Sequence, residues 1–417
     1  MSSAQPLPTP ATVNSDSTSN GKVVSASGAR VQAGNLNLPV SQAISLPSEL
    51  KHEIMIIPAS SNPSFGGFFT IDIREKNVIL NNITLQFQLG SVVPTSVVGY
   101  FNPAWFFFTR IEIVQGGNVI DTVYGNQQCL MNQLLEWDED RLAINNAAGN
   151  YASTAQRTLL SSTSTTNTFY ANLKTYFDQD KIHLLTDSHN IQLRIYMDTL
   201  TNAYAVSSGT LTSCAINSCN AICKITRLDN ASAQQRLGDM TLRKHHHIMH
   251  DLHYGTFTIP AGVLSSTIIL APIVGNVASL IFTVRASTTT NQQWVYTQLA
   301  SWALLDSAST NLVGGQVLPA SLCANILNRD WCKSSYNTET AFGTNNQSSN
   351  FYMWSFSADP ISCLTNGQAL TSRKMTGQEQ LQLNFPSALG AQVQVDVYAM
   401  VENVVEVGTH HVKKMSL

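Results

Sequence analysis

Charge is what this sequence has least of. Asp, Glu, Lys and Arg make up 12% of its 417 residues, about half the ~25% usual for soluble proteins. Ser, Thr, Asn and Gln take their place, so the folded surface is expected to be polar but nearly uncharged. Such a surface suits flanks buried against other subunits, because desolvating charge is costly. No excess of either sign exists: 23 basic residues face 26 acidic ones, for a net charge of -3. Phosphate binding needs a concentrated basic face, so nucleic acid is excluded as the main partner.

Paired cysteines are also lacking. Cys129, Cys214, Cys219, Cys223, Cys323, Cys332 and Cys363 form an odd set with no CxxC spacing. Neither a zinc ribbon nor a secreted disulfide framework fits, and free buried thiols made in a reducing compartment are expected. The opening residues, MSSAQPLPTPATVNSDSTSN, carry no basic segment and no apolar core, so no signal peptide is read there. The sequons at Asn82, Asn230 and Asn346 are accordingly read as chance. The one long charge-free stretch, Tyr254 to Val284, contains Pro260, Pro272 and the pair Gly275-Asn276. Two strands joined by a turn fit it better than a membrane helix, which needs ~20 mostly apolar residues. The G-x-S-x-G elbow, the P-loop and the G-x-G-x-x-G fingerprint are all missing, and no enzyme is expected.

What is present is strand periodicity. Every second residue is apolar in Thr84-Leu85-Gln86-Phe87-Gln88-Leu89, in Arg110-Ile111-Glu112-Ile113 and in Gln192-Leu193-Arg194-Ile195-Tyr196-Met197. The same holds for Leu381 to Phe385 and Val393 to Tyr398. Period two means one packed face and one wet face, as in antiparallel sandwiches. Helical signals are few. Leu130, Leu134 and Trp137 predict one short amphipathic helix over about Gln127 to Leu142. Ala320 to Asn328 and Ala231 to Arg243 are further candidates. Residues 1–47 are rich in Ser, Thr, Ala, Asn and Pro, with only Asp16, Lys22 and Arg30 charged. They have little to bury and read as a flexible arm.

An internal repeat organises the remainder. A strand ending near Val114 runs into Gly116-Gly117, then a helix reaching Trp137 and a polar loop (Ser161 to Thr168). In the second half a strand at Trp302 to Leu305 precedes Gly314-Gly315, a helix reaching Trp331 and a polar loop (Ser334 to Asn350). QLRIYM from Gln192 matches QVDVYA from Gln394, and Phe69-Thr70-Ile71 recurs as Phe257-Thr258-Ile259. These four markers keep their order at offsets of 188 to 202 residues. Each half, about 170 to 180 residues of short strands, suits an eight-stranded double-sheet jelly roll. The expected fold is therefore all-β: two tandem eight-stranded jelly rolls, a double jelly roll, with a few short helices. The expected division is an arm (1–47), a first roll (48–228), a connector (229–243), a second roll (244–410) and a tail (411–417).

Three segments resemble double jelly-roll major capsid proteins. FFFTRIEIVQGGNVIDTVYGNQQCLMNQLLEW (Phe106 to Trp137) is similar to their strand, turn and helix segment. LDNASAQQRLGDMTLRKHHHIMHDLHYGTF (Leu228 to Phe257) is similar to the connector between their rolls. SFSADPISCLTNGQALTSRKMTGQEQLQLNF (Ser355 to Phe385) is similar to the Pro-containing loop before their last strands. The family includes capsid proteins of tailless membrane-containing phages, adenoviruses, virophages, polinton-like viruses and large nucleocytoplasmic DNA viruses. The resemblance implies a homotrimer of six rolls that tiles an icosahedral shell around double-stranded DNA, often over a lipid layer. It implies a place in the virion, assembly in the host cytoplasm or nucleus, and as partners other capsomers, minor capsid or penton proteins and an internal membrane. Composition agrees, since obligate interfaces of roughly 2,000 Å² or more are poor in charge. The nearly neutral arm can tie neighbours together but cannot condense a genome, because each neutralised phosphate needs a Lys or Arg.

One cluster suggests chemistry. His245, His246, His247, His250 and His253 surround Asp251, and imidazoles this dense can hold zinc or copper or respond to pH near neutrality. A strand would put His245 and His247 on one face; a helix would group His246, His250 and His253. The expected role is nevertheless a polar connector or subunit surface, with no metal, cofactor or catalytic residue assigned. Gly238, His245, His247, Asp251 and Gly255 match the first cupin motif poorly. Ser265 stands where the second motif, placed at Pro260-Ala261-Gly262, needs its last histidine, so a metal site would be incomplete. The run Glu136, Asp138, Glu139, Asp140 reads as a solvated helix end. Lys413-Lys414 with His410-His411 form a small basic terminus that could touch an anionic surface at only ~1 kcal/mol per lysine. Phe106, Phe107, Phe108, Trp294 and Trp354 read as core or interface. The rival class is a tandem β-sandwich that binds carbohydrate, a lectin-like protein or adhesin.

Overall fold

Alternating sequences build antiparallel strands throughout. The computed structural model describes residues 51–135, 138–149, 167–179, 184–185, 190–242, 245–286, 296–308, 318–319, 351–357, 371–408 and 412–416. Eleven described strands lie between Lys51 and Arg227. They are β1 (Lys51–Pro58), β2 (Phe68–Ile73), β3 (Val78–Val93), β4 (Val98–Phe101), β5 (Phe108–Gln115), β6 (Asn118–Tyr124), β7 (Asn167–Leu173), β8 (Leu184–Leu185), β9 (Ile191–Met197), β10 (Tyr204–Ser208) and β11 (Ser213–Arg227). Ten follow: β12 (His245–Ile259), β13 (Ser265–Ile269), β14 (Val274–Ala286), β15 (Ser301–Leu305), β16 (Leu318–Pro319), β17 (Phe351–Ser355), β18 (Arg373–Thr376), β19 (Gln380–Asn384), β20 (Val393–Val407) and β21 (Val412–Ser416). The described helices are α1 (Gly125–Leu135), α2 (Asp138–Ala147), α3 (Tyr176–Gln179), α4 (Leu200–Ala203) and α5 (Asn230–Leu242), with a 3₁₀ turn at Ala104–Phe107.

The strand orders carry the duplication. The first half pairs β1-β11-β3-β7 in one sheet and β2-β9-β5-β6 in the other. The second half pairs β12-β20-β14-β17 and β13-β19-β15-β16. Counting each half's eight main strands from its own start, both orders read first-eighth-third-sixth and second-seventh-fourth-fifth. Each half is thus an eight-stranded, two-sheet roll of the same connectivity. In addition, β8 joins β3, β18 joins β14, β21 joins β20, and β4 pairs with β10.

Two of the four repeat markers align different strands. Phe69-Thr70-Ile71 lies in β2, the second strand of its roll, whereas Phe257-Thr258-Ile259 ends β12, the first of its roll. QLRIYM is β9, the seventh strand, whereas QVDVYA opens β20, the eighth. Alternating strands of one sandwich resemble each other, so local pattern does not identify a strand's place in the sheet. The strand at Trp302 to Leu305 is correctly the counterpart of β5. Gly314-Gly315, Trp331 and the helix expected over Ala320 to Asn328 lie outside the described residues. In the first half, Gly116 and Gly117 have φ of 57° and 83° between paired Gln115 and Asn118. A two-residue hairpin of this twist needs left-handed backbone at both positions, which glycine adopts without strain.

The single helix expected over Gln127 to Leu142 is instead two, α1 and α2. Asp138, Glu139 and Asp140 fall at the start of the second, and Glu136 and Trp137 lie outside the described residues. The predicted helix at Ala231 to Arg243 is α5. Its cap is Asp229, whose carboxylate accepts from the Ser232 amide and hydroxyl at 2.8 Å each. The stretch Tyr254 to Val284 forms strands and turns, and no described helix is long and apolar enough to cross a membrane.

Within the first roll, Phe107 meets Phe65, Phe87, Phe101 and Phe169 edge to face at centroid distances of 5.4 to 6.0 Å. Phe106 and Phe108 are buried beside it. Phe107→Leu is expected to cost about 2 kcal/mol, through lost ring contacts and a void. Thermal unfolding checks this, and an unchanged midpoint would contradict it. The second roll has its own core, where Phe282 and Trp302 cross between the sheets at 5.2 Å. Among the described residues Cys129, Cys214, Cys219 and Cys223 are free thiols. Burial pushes Cys214 up to about 11 and Cys223 up to about 12, with Cys219 higher still. Such thiols are unreactive near neutral pH.

Candidate functional site

The features that set this chain apart from a lone sandwich lie at the seam between its rolls. The long strands β14 and β20 are buried on both faces. Their inward side chains, such as Val277, Phe282, Val395 and Val397, fill the second roll. Their outward ones, Ile281, Tyr398 and Met400, join the core of the first roll, together with Met249, Tyr296, Phe351, Met353, Val405 and Val407. A fully buried side chain of this size contributes about 2 kcal/mol. The seam is therefore comparable to the whole net stability of a domain, roughly 5–15 kcal/mol. Consistently, Glu49–Leu417 make one compact unit.

The first roll covers this sheet with the end of β6 and the start of α1. The Tyr124 ring lies 4.4 Å from that of Tyr254, which stacks on Tyr398 at 5.2 Å. Asn126 sits among buried hydroxyls: Tyr296 Oη donates to its Oδ1 at 2.6 Å, and its Nδ2 donates to Tyr398 Oη at 3.1 Å and Thr283 Oγ1 at 3.5 Å. Gly125, at the strand-to-helix junction, admits no side chain, because a Cβ would collide with the backbone oxygens of Trp105 and Phe108. Asn126→Ala removes the acceptor of Tyr296 Oη and the donor to Tyr398 Oη inside a buried seam and is expected to destabilise by about 2 kcal/mol. Urea unfolding of the full chain measures this, and a loss below ~0.5 kcal/mol would show the network idle.

Charge is buried here as well. Asp396 is fully buried and accepts from Arg285 Nε at 2.6 Å, Tyr254 Oη at 2.8 Å and Gln394 Nε2 at 2.9 Å. Burial, then the nearby Asp396 carboxylate, holds the Tyr254 hydroxyl well above its ordinary range, so it stays a donor. On the first-roll side Asp121 of β6 is buried and accepts from the Tyr176 amide at 3.0 Å. Desolvation raises its carboxyl to about 6; Asp251 adds to the rise, while the Tyr176 amide and Lys414 oppose it. Asp251 itself, though its burial acts to raise it, is held below the usual carboxylate range by His253 and Lys414. Residues 412–416, expected as part of a loose tail, form β21 on the edge of β20, and Lys414 Nζ is ion-paired with Asp251. That lysine is therefore committed to the fold rather than to an external surface.

The histidine cluster lies on β12, in unbroken register with β20. As a strand it places His246 and His250 on one face and His253 on the other, which splits the helical trio. His246 Nε2 is 3.2 Å from Glu406 Oε2, and His253 Nε2 is 3.5 Å from Asp251 Oδ2. His250 is buried opposite Glu402. Among the described residues no three His, Cys, Asp or Glu side chains converge to hold a metal. The cupin-like pattern is spread over separate elements: Gly238 lies within α5, and Ser265 opens β13 with its hydroxyl on Asn384 Oδ1 at 2.7 Å.

The two outward faces of the first roll differ in chemistry. On β2-β9-β5, Arg110 lies 4.0 Å over the Tyr196 ring, Glu112 meets Arg110 and Arg194 at 3.2 and 3.9 Å, and Asp72 meets Arg74 at 2.9 Å. On β11-β3-β7 the ladder is built of amides and hydroxyls, with the exposed Lys224 at one end. Ser218 Oγ donates to Gln88 at 3.1 Å, Asn220 Nδ2 to Gln86 at 2.9 Å, and Gln86 Nε2 to Tyr170 Oη at 3.0 Å. Beside that ladder α2 borders a cleft of about 510 Å³, lined by Asn82, Thr84, Ile144, Asn172, Asp178 and Lys224 among others.

Solved structures share this architecture. The chain aligns with the PBCV-1 virus capsid protein at a TM-score of 0.62 and 14% identity, covering 88% of this chain and 97% of that one. It aligns with the Faustovirus major capsid protein at 0.64 and 9%, covering 92% and 97%. The Sputnik virophage structure aligns at 0.58 and 11%, covering 99% and 94%. The fold is a double jelly roll. No family model matches the sequence, and no curated protein matches it either. At these identities the likeness lies in the double jelly roll itself. Sequence reasoning missed most of the seam: Asp121, Asn126 and Arg285 were not singled out, and Asp396 and Tyr398 were read only as part of an alternating strand with one wet face, whereas both are buried. The available signal was the run Val397-Tyr398-Ala399-Met400-Val401, which breaks alternation because both faces of β20 are covered.

Proposed function

We propose that this double jelly roll is the major capsid protein of an icosahedral double-stranded DNA virus. Its working form is a homotrimer whose six rolls make a pseudo-hexagonal capsomer, and its place is the virion. The observation that carries the reading is the seam: two rolls of one connectivity, fixed side by side by a buried sheet face, give a rigid two-lobed unit. Three such units supply six lobes. The uncharged composition fits flanks that become interface, and the similar structures are capsid proteins by their descriptions. In this reading 48–228 and 244–410 are the rolls, 229–243 connects them and 1–47 ties neighbouring subunits together. Sedimentation of the purified full chain tests it. The expected mass is three times 45.4 kDa; a chain that remains monomeric and binds glycans would favour the lectin-like alternative instead.

A further inference from the structure

The outward face of β11-β3-β7 is not bare. Asn132 of α1 and Asp178 of α3 are hydrogen-bonded to it, through Asn172 and Asn82 at 3.0 Å each, and α2 stands beside it. What they leave open is the cleft of about 510 Å³, within the ~300–1,000 Å³ of small-molecule sites. Its floor is polar and already fixed. Asn82 and Thr84, two positions apart on β3, share a face. Thr84 lies opposite Asn172 of β7 and donates to its Oδ1 at 3.3 Å. Tyr170 Oη accepts from Gln86 Nε2 at 3.0 Å, which leaves its own proton to give. One wall is aliphatic: Ala143 and Ala147, four residues apart on α2, with Ile144 beside them. One end is cationic. Lys224 lies opposite Asn82 on β11, and Lys174 follows Leu173, the β7 residue paired with Ile83. Asp178, at the same end, has both oxygens engaged, Oδ1 by Asn82 at 3.0 Å and Oδ2 by the Thr175 amide at 2.9 Å. Burial raises its carboxyl above the ordinary range, with Lys174 the largest influence against the rise. Lys174 is thus the counter-charge of Asp178, whereas Lys224 is exposed and pairs with no carboxylate among the described residues.

Floor, wall and end each ask something of a ligand. A floor of amides and hydroxyls in fixed positions matches neighbouring hydroxyl groups, each of which both gives and accepts a hydrogen bond. The aliphatic wall matches the C–H face of a saturated ring. The uncommitted ammonium of Lys224 matches an anion, and a charge-assisted hydrogen bond is about twice as strong as a neutral one. An acid without hydroxyls would cover the floor and leave its polar groups unpaired, which costs affinity. A neutral sugar would leave Lys224 idle. We propose that this cleft binds a sugar acid, a pyranose bearing a carboxylate, with the carboxylate at Lys224 and the ring hydroxyls on Thr84, Asn172 and Tyr170. The floor is held by its own hydrogen bonds before a ligand arrives, so little side-chain ordering is required on binding. The site does not rest on the capsomer reading. A trimer that binds the acid carries the site on a capsomer, and a trimer that does not bind it loses the site alone.

The test is titration of the purified full chain with D-glucuronate, read by ligand-observed NMR. Saturable binding with a Kd on the order of 1 mM or tighter is expected. D-glucose, which has a hydroxymethyl group in place of the carboxylate, is expected to bind about 10-fold more weakly. Cyclohexanecarboxylate, which keeps ring and charge but lacks the hydroxyls, is expected to weaken by about the same factor. Lys224→Gln is expected to weaken glucuronate about 10-fold, and Ala147→Trp, which fills the cleft, to abolish binding. Both positions are exposed, so circular dichroism is expected to be unchanged in each variant. Methyl β-D-glucuronide separates two sources of the same chemistry. Binding equal to that of glucuronate supports the terminal residue of a glycan, and its rejection supports the free acid. No saturation by glucuronate at about 50 mM, well above the expected Kd, would overturn the proposal. So would equal affinity for glucose or cyclohexanecarboxylate, or an unchanged affinity in both variants. Inorganic phosphate bound as tightly as glucuronate would reduce the cleft to a simple anion site and overturn it as well.

Discussion

Arg285→Ala is expected to destabilise the chain by about 4 kcal/mol, the largest single effect among charged positions. The reason is what remains behind. Asp396 is fully buried, and its two oxygens are shared among Arg285, Tyr254 and Gln394. Removing the guanidinium leaves a carboxylate with hydrogen bonds but no counter-charge at the edge of the seam. Arg285→Ala combined with Asp396→Asn is expected to recover part of the loss, because the orphaned charge goes with it. A double-mutant cycle in urea measures this coupling. If the two substitutions were additive within ~0.5 kcal/mol, the pair would be incidental to the fold.

Asp121→Asn is expected to act in the opposite direction. The carboxyl titrates near 6 in the folded chain rather than at 3.8, so the folded state holds its proton more tightly than the unfolded state. Between pH 3.8 and about 6 folding therefore loses stability as pH rises, and above that the loss is complete, at about 3 kcal/mol. Asp251, held below its usual range, works the other way: its contribution is present above pH 3.8 and is lost as pH falls below that. The two windows meet near pH 4 without overlapping. The difference between wild type and the variant should accordingly grow from pH 4 to about 6, favour the variant, and then level off. Unfolding midpoints across pH 4 to 8 read this directly. A variant less stable than wild type at pH 8 would show that Asp121 is held as a needed anion.

These buried groups mark the limit of what the sequence displays. The alternating runs of β3, β5 and β9 identified a sandwich because each has one wet face, and period two reports that directly. The duplication was visible through the Trp302 strand, the counterpart of β5; the glycine pair is placed only in the first half, at the β5–β6 hairpin, because Gly314-Gly315 lies outside the described residues. It was misread where Phe257-Thr258-Ile259 and QVDVYA were matched to strands of other rank, since strands of one sandwich share a period but not a position. The seam was hidden for a different reason. Ser279 to Val284 and Val397 to Val401 are near-continuous apolar runs, and a run reveals that both faces are covered without saying by what. Asp396 and Arg285 are adjacent only through the register of β20 on β14, which sequence does not print. The histidines were conspicuous by density alone, yet a strand deals them to opposite faces.

The most direct test of the account is single-particle imaging of the purified full-length protein. Flat rings of six lobes with threefold symmetry are the predicted result. Isolated two-lobed particles at every concentration, or lobes whose sheets fail to superimpose, would contradict it.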